Sequence, residues 1–220
     1  MKLYVIRHGE TRLNVEGRLQ GWIDEPLNEN GRELARVTGE SLKKVPFDMV
    51  ITSPLKRARE TGELAVAASC QYYGRKVPLI EDDRIREIRW GSWDGLGCRE
   101  DNFEIPSENF NRFYTDALHF EGAPDGESIR DVCERTGEFF REVLQKEEYQ
   151  DKTILISLHG CALRAMLNPV YEDRENFWQE RVPFNCAVSV LEAEGGRAKL
   201  LEKDKIYYDE SLCIDNYKKI

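Results

Sequence analysis

Three short apolar runs, each ending in residues that carry chemistry, constrain this chain most. They are residues 3–6 (Leu3-Tyr4-Val5-Ile6), 49–52 and 153–158. Runs this short and this apolar suit strands buried on both faces, as in parallel sheets. Helical stretches separate them. That alternation predicts an α/β fold: a three-layer sandwich with a mostly parallel central sheet flanked by helices. Arg7-His8-Gly9 follows the first run, Ser53-Pro54 and then Arg57 the second, and His159-Gly160 the third. In open parallel sheets, ligands bind outside the carboxyl ends of the strands. Strand position alone therefore predicts that the three segments converge.

The remaining elements fit around this frame. Pro26-Leu27-Asn28 opens a helix with Asn28 as its N-cap, and Leu34, Val37, Ser41 and Leu42 follow at helical spacing. Ser53-Pro54 reads as an N-cap with proline at the first helical position, starting a helix through Arg57 and Leu64. Residues 81–95 read as a loop dense in charge and tryptophan, with Trp90 and Trp93 as packing residues. Residues 96–123 lack periodicity and read as an insertion that caps the pocket. Ser128 precedes an amphipathic helix whose apolar face takes Ile129, Val132, Cys133, Phe140, Val143 and Leu144. Residues 188–191 and 198–201 flank Gly195-Gly196 as a terminal hairpin. At 220 residues, the expected organisation is one domain over 1–220 with the cap at about 96–123.

The net charge of −9 argues against a nucleic-acid partner, which needs a basic face, but a local cluster of arginines still admits a small anion. No apolar run approaches the length of a membrane span, and the first residues do not form a signal peptide. Six cysteines without a C-x-x-C pair read as free thiols in a reducing cytoplasm. They lack zinc-ligand spacing, so no metal site is expected.

Two histidines and two arginines at converging strand ends make a cationic, donor-rich pocket. Arginine forks match phosphate oxygens, and a neutral histidine among them could attack phosphorus while the arginines stabilise the equatorial oxygens. A leaving alkoxide also needs a proton. Glu87, in Arg86-Glu87-Ile88-Arg89-Trp90-Gly91, is the candidate donor, although Arg86 and Arg89 could also pair with it.

These segments resemble the histidine phosphatase superfamily, the phosphoglycerate mutase-like fold. Leu3 through Thr11 with Asn14 is similar to its signature. Gln20-Gly21-Trp22 with Pro26-Leu27 and Gly31, Ser53 through Thr61, Glu87 through Gly95, and His159-Gly160 with Arg164-Ala165 follow in family order. The resemblance implies that His8 forms a phosphohistidine. It implies that Arg7, Arg57, His159 and Asn14 contact the phosphoryl group, and that Gln20 and Gly21 border the substrate. Glu87 would be general acid and then base, and no metal or cofactor is implied. Leu158, Cys161, Glu60 and Asp94 depart from common family residues. The loop at 89–95 is closer to the phosphatase branch, so the expected activity is hydrolysis of a small phosphomonoester. A phosphoglycerate mutase and a non-catalytic phosphate-binding protein are the alternatives.

Overall fold

A computed structural model describes residues 1–213. The end of the polar tail, which the sequence leaves unplaced, lies outside the described residues. The strands β1 (Lys2–Arg7), β2 (Met49–Thr52), β3 (Leu79–Glu81), β4 (Thr153–Leu158), β5 (Val188–Glu194) and β6 (Arg197–Lys205) form one sheet in the order β3-β2-β4-β1-β5-β6. β1 to β4 run parallel, and the β5–β6 hairpin adds antiparallel to β1.

Period-two alternation sends the apolar side chains of these strands to both faces. Tyr4, Ile6, Val50 and Leu155 meet Leu34, Ala35, Ala65 and Val66 of two helices, α2 (Glu29–Ser41) and α3 (Lys56–Tyr73). The short α1 (Arg12–Glu16) precedes them, and α4 (Arg112–Thr115) lies in the middle of the chain. On the opposite face Leu3, Val5, Ile51, Ile154 and Ile156 meet α5 (Ile129–Gln145) and α6 (Gly160–Leu167). The helices after the adjacent strands β1 and β4 thus lie on opposite sides of the sheet. This is the switch point at which parallel sheets open a crevice.

Asn28 caps α2 by accepting from the Gly31 N–H at 2.7 Å. In α5, Ser128 and Asp131 form a reciprocal capping box, and five of the six residues read from the sequence are buried together with Thr136 and Phe139, while Cys133 is half-buried. The start of α3 corrects the sequence reading. Ser53 is not its N-cap; the helix begins at Lys56, whose N–H donates to the Asp24 carboxylate at 2.7 Å. The Ser53 hydroxyl instead reaches His159. β3 was not expected, and it takes Glu81 out of the predicted loop. It has three residues, with Ile80 and Glu81 exposed, so it carries little apolar signal.

Residues 96–123 contain short turns of 3-10 helix and α4. Phe110, Phe113 and Phe120 pack on Trp90, with the Phe113 ring centroid 4.8 Å away, and they join the core that covers α5 and α6. Trp93 is buried in the same core.

Gly31 lies inside α2, where alanine would ordinarily favour the helix by about 1 kcal/mol. A Cβ at this position would stand 2.1 Å from the Glu10 carbonyl oxygen. Main chain so close to His8 has little room to move. Gly31→Ala should therefore destabilise the fold by roughly 1–3 kcal/mol, the usual cost of overpacking. Urea denaturation measures this, and a variant more stable than the wild type would contradict the close approach.

Candidate active site

The register of β1 and β4 builds the centre. Arg7 lies opposite Leu158, so the next residues on each strand, His8 and His159, leave the sheet side by side. The His8 N–H donates to the Leu158 carbonyl at 2.8 Å, and the two imidazole centroids are 5.2 Å apart. β2 flanks β4 on its other side and brings the Ser53 hydroxyl to 2.8 Å from His159 Nε2.

His8 Nδ1 is 2.7 Å from the Gly9 carbonyl oxygen. A carbonyl only accepts, so Nδ1 carries the proton of the neutral ring and Nε2 keeps its lone pair. Burial, then the charges of Arg57 and Arg7, push the His8 pKa well below its ordinary value of 6.5. His159 is also held well below 6.5, by burial first and then by Arg57 and His8. Both rings are therefore neutral near pH 7, as a nitrogen nucleophile requires.

Arg7 donates through Nη1 to the Pro183 carbonyl. Arg57 is fully buried and donates through Nη1 to Ile23 O at 2.9 Å and through Nη2 to Gly21 O at 2.7 Å. Burial lowers the Arg57 pKa to about 10, against the opposing charges of Glu87, Asp94 and Asp24, so it stays charged at neutral pH. Gln20 accepts the Thr11 hydroxyl on Oε1 at 2.8 Å. Arg7 Nη1, both outer nitrogens of Arg57 and the oxygen of Gln20 are thus occupied. Arg7 Nε, Arg57 Nε, Gln20 Nε2 and His159 Nδ1 remain buried with no hydrogen-bond partner among the described residues. Buried polar atoms without partners are rare, and four in one cluster mark a place built for a ligand rich in acceptors.

Glu87 closes the cluster from the other side. Its Oε1 accepts from Ala162 N at 3.0 Å and Ile88 N at 3.0 Å, and Oε2 accepts from Cys161 N at 3.2 Å. The carboxylate thus sits on the first turn of α6, where free N–H groups favour an anion. Neither Arg86 nor Arg89 is bonded to it among the described residues. Arg86 pairs with Asp83, and the Arg89 N–H donates to Glu127.

A cleft runs over this floor, with Arg7, His8, Asn14, Gln20 and Glu87 on its walls. Arg57 and His159 lie fully buried behind that wall. Gly21 is not among the residues lining the cleft. It allows a close passage, since a Cβ there would stand 2.5 Å from Ile88 O, and it turns its carbonyl to Arg57. His119 is an exposed partner of Asp116, and Arg59 pairs with Glu63 and Glu81 on the surface.

Sequence reasoning missed several residues that hold this arrangement. Arg135 of α5 donates to the carbonyls of Arg84, Arg86 and Glu87, and pairs with Glu127. Asp94 receives the N–H groups of Gly21, Trp22 and Ile23 at 2.7–2.9 Å, fixing the loop that supplies carbonyls to Arg57. Asp94 stood in the sequence only as a departure from a family residue. Arg135 carried no signal beyond its place on an amphipathic helix. Among the described residues, no group of three or more His, Cys, Asp or Glu is placed to hold a metal ion, and no helix is long and apolar enough to cross a membrane.

Two buried neutral histidines make stability depend on pH. The unfolded chain takes up protons near pH 6.5 that the folded chain refuses, so stability should fall as pH drops below 6.5. The slope should approach about 1.4 kcal/mol per pH unit for each histidine. Urea unfolding of a His159→Gln variant should show a shallower fall between pH 6.5 and 5. Equal slopes in variant and wild type would show that His159 is not held neutral.

Comparison with known proteins places this geometry in context. The chain is 37% identical over 166 residues to 2,3-bisphosphoglycerate-dependent phosphoglycerate mutase 2 of Gloeobacter violaceus, covering 75% of this chain and 73% of that one. It is 31% identical to phosphoserine phosphatase 1 of Hydrogenobacter thermophilus over the full length of both chains. The solved structure of Bacillus stearothermophilus YhfR superposes with a TM-score of 0.80 at 32% identity, covering 94% of this chain and 98% of that one. The sequence profile of the histidine phosphatase superfamily (branch 1) matches residues 3–205, and the chain belongs to that superfamily.

Proposed function

We propose that this protein is a metal-independent, acid-type histidine phosphatase that hydrolyses a small phosphomonoester through a phosphohistidine at His8. The observation that carries the reading is the group of four unpartnered buried nitrogens, on Arg7, Gln20, Arg57 and His159, gathered around a neutral imidazole. A phosphoryl group offers acceptor oxygens to such donors and an electrophilic phosphorus to Nε2.

In the first step Nε2 of His8 attacks phosphorus and the phosphorus–oxygen ester bond breaks. Glu87 gives the departing alkoxide the proton that it takes up from water in the second step of the preceding cycle. In the second step the Glu87 carboxylate takes a proton from water, the resulting hydroxide attacks phosphorus, and the phosphorus–nitrogen bond breaks to release inorganic phosphate. Arg7, Arg57, His159, Asn14 and Gln20 hold the equatorial oxygens in both steps. Two arginines in a dry site supply the charge stabilisation that a metal ion supplies in other phosphoryl-transfer enzymes. Residues 96–123 act as the cap of a single domain spanning 1–220, and Phe113 from that segment lines the cleft. The reaction takes place in the cytoplasm, a reading supported by six cysteines that form no disulfide among the described residues.

A mutase reading is favoured by the Gloeobacter relative, named a phosphoglycerate mutase. The cleft wall supports hydrolysis better. Away from the phosphoryl floor it includes Leu19, Trp90, Phe113, Tyr114, Trp178 and Val182, with Arg18 as its cation. Arg18 already pairs with Glu104 at 2.8 Å and Glu16 at 3.4 Å. It is therefore poorly placed to receive the second anionic group that a phosphoglycerate carries.

Phosphate release from a panel of phosphomonoesters, 3-phosphoglycerate and an aryl phosphate included, should survive excess chelator and vanish in His8→Ala. Glu87→Gln should slow alkyl phosphates far more than aryl phosphates, whose leaving groups need less protonation. Removing the Arg57 guanidinium should cost roughly 10²-fold in kcat, the scale for loss of one oxyanion donor. Equal losses on alkyl and aryl substrates in Glu87→Gln would reject the acid role. No release from any ester would favour a mutase or a binding protein.

A further inference from the structure

We propose that Asn185 is a positioning residue for both His8 and Asn14, and that Tyr208 anchors it from the segment after β6. The inference rests on the reading of His8 as the nucleophile. Asn185 is buried just ahead of β5, 177 residues from His8 in sequence. Its Nδ2 lies 3.0 Å from the His8 carbonyl oxygen and 3.3 Å from Asn14 Oδ1.

The polarity of this clamp is determined by its neighbours. The His8 carbonyl only accepts. The oxygen end of the Asn14 amide is fixed independently, because the Thr11 N–H donates to it at 3.1 Å. Asn185 must therefore present its NH2 group to both acceptors.

Two consequences follow. The His8 main chain is held on both sides, its N–H by the Leu158 carbonyl and its carbonyl by Asn185, while the ring is held by Gly9 O. Nε2 then has one direction in which to point. The Asn14 amide is also oriented, its oxygen facing Thr11 and Asn185, and Asn14 lines the cleft.

Two further features secure Asn185. Tyr208 donates through its hydroxyl to the Asn185 carbonyl. Cys186 adopts a left-handed backbone with φ of 57°, and its N–H donates to the Arg7 carbonyl at 3.0 Å. A non-glycine residue held in that conformation beside a site is a recognised way of storing strain for positioning. Asn185 is not among the residues that line the cleft, so it acts through His8 and Asn14.

The test compares Asn185→Ala, Asn185→Asp and Tyr208→Phe with the wild type. The readouts are kcat/KM on one aryl and one alkyl phosphate, and inhibition by orthovanadate and by inorganic phosphate. Vanadate mimics the five-coordinate transition state and senses where the nucleophile points. Asn185→Ala should lower kcat/KM by about 10²-fold on both substrates, the scale of a misplaced reacting group. It should weaken vanadate by a similar factor and inhibition by phosphate in smaller measure, because only one of the phosphoryl contacts, Asn14, loses its orientation. Asn185→Asp, which sets an oxygen against two acceptors, should lose at least as much. Tyr208→Phe should show the same signature in smaller measure.

A lower rate with vanadate inhibition unchanged means only that less protein is active, and it overturns the proposal. Should Asn185→Ala fail to fold, the test passes to Tyr208→Phe, which leaves the amide in place. Wild-type kinetics and vanadate inhibition in that variant would overturn the proposal equally. A wild-type protein that hydrolyses no phosphomonoester and ignores vanadate would remove the nucleophile reading, and this inference with it.

Discussion

The pairing of β1 with β4 is the constraint on which the site depends. Parallel register opposes Arg7 to Leu158, and the chain needs only one more residue on each strand to set two imidazoles 5.2 Å apart. A slip of one residue would turn the buried side chains of β1 to the wrong faces, so the hydrophobic core itself guards the spacing of the histidines. The opposite placement of α2 and α6 then opens the sheet at that point and gives the pair access to a cleft.

Placing cations beside buried imidazoles is electrostatically unfavourable, and the structure shows how that is offset. Arg57, fully buried, is held by the carbonyls of a loop that Asp94 and Asp24 secure, and both carboxylates also oppose its loss of charge. Glu87 contributes to the same balance. Burial first, and then the positive field that remains, keep the histidines neutral. The features that would make His8 a nucleophile and those that would hold an anion are therefore one charge distribution.

Much of this was legible in the sequence because it depends on local pattern. Residues 49–52 and 153–158 mark strands whose bounds match those of β2 and β4, and Asn28 marks a cap satisfied three residues away. The strand-end position of His8 and His159 follows from the same pattern. What was not legible depends on partners far apart in the chain. Asp24 completes the start of α3 from 32 residues away, Arg135 reaches the Glu87 carbonyl across 48, and Asn185 reaches His8 across 177. An isolated Asn or Arg has no periodicity to betray it. β3 escaped for a different reason, since a three-residue edge strand with an exposed outer end carries no apolar run.

Glu87 and His159 meet at one end of α6: the histidine is its N-cap residue, and the carboxylate rests on the N–H groups of its first turn. The Glu87 carboxylate and His159 are therefore tied to the same helix end, and a displacement of that helix bears on both. Phe113 enters the cleft from a different part of the chain, and neither of those groups is bonded to it among the described residues. Segment 96–123 lends Phe113 to the cleft, and its Arg99 donates to the Asn14 carbonyl at 2.9 Å, so a change in that segment reaches the cleft wall from outside the sheet.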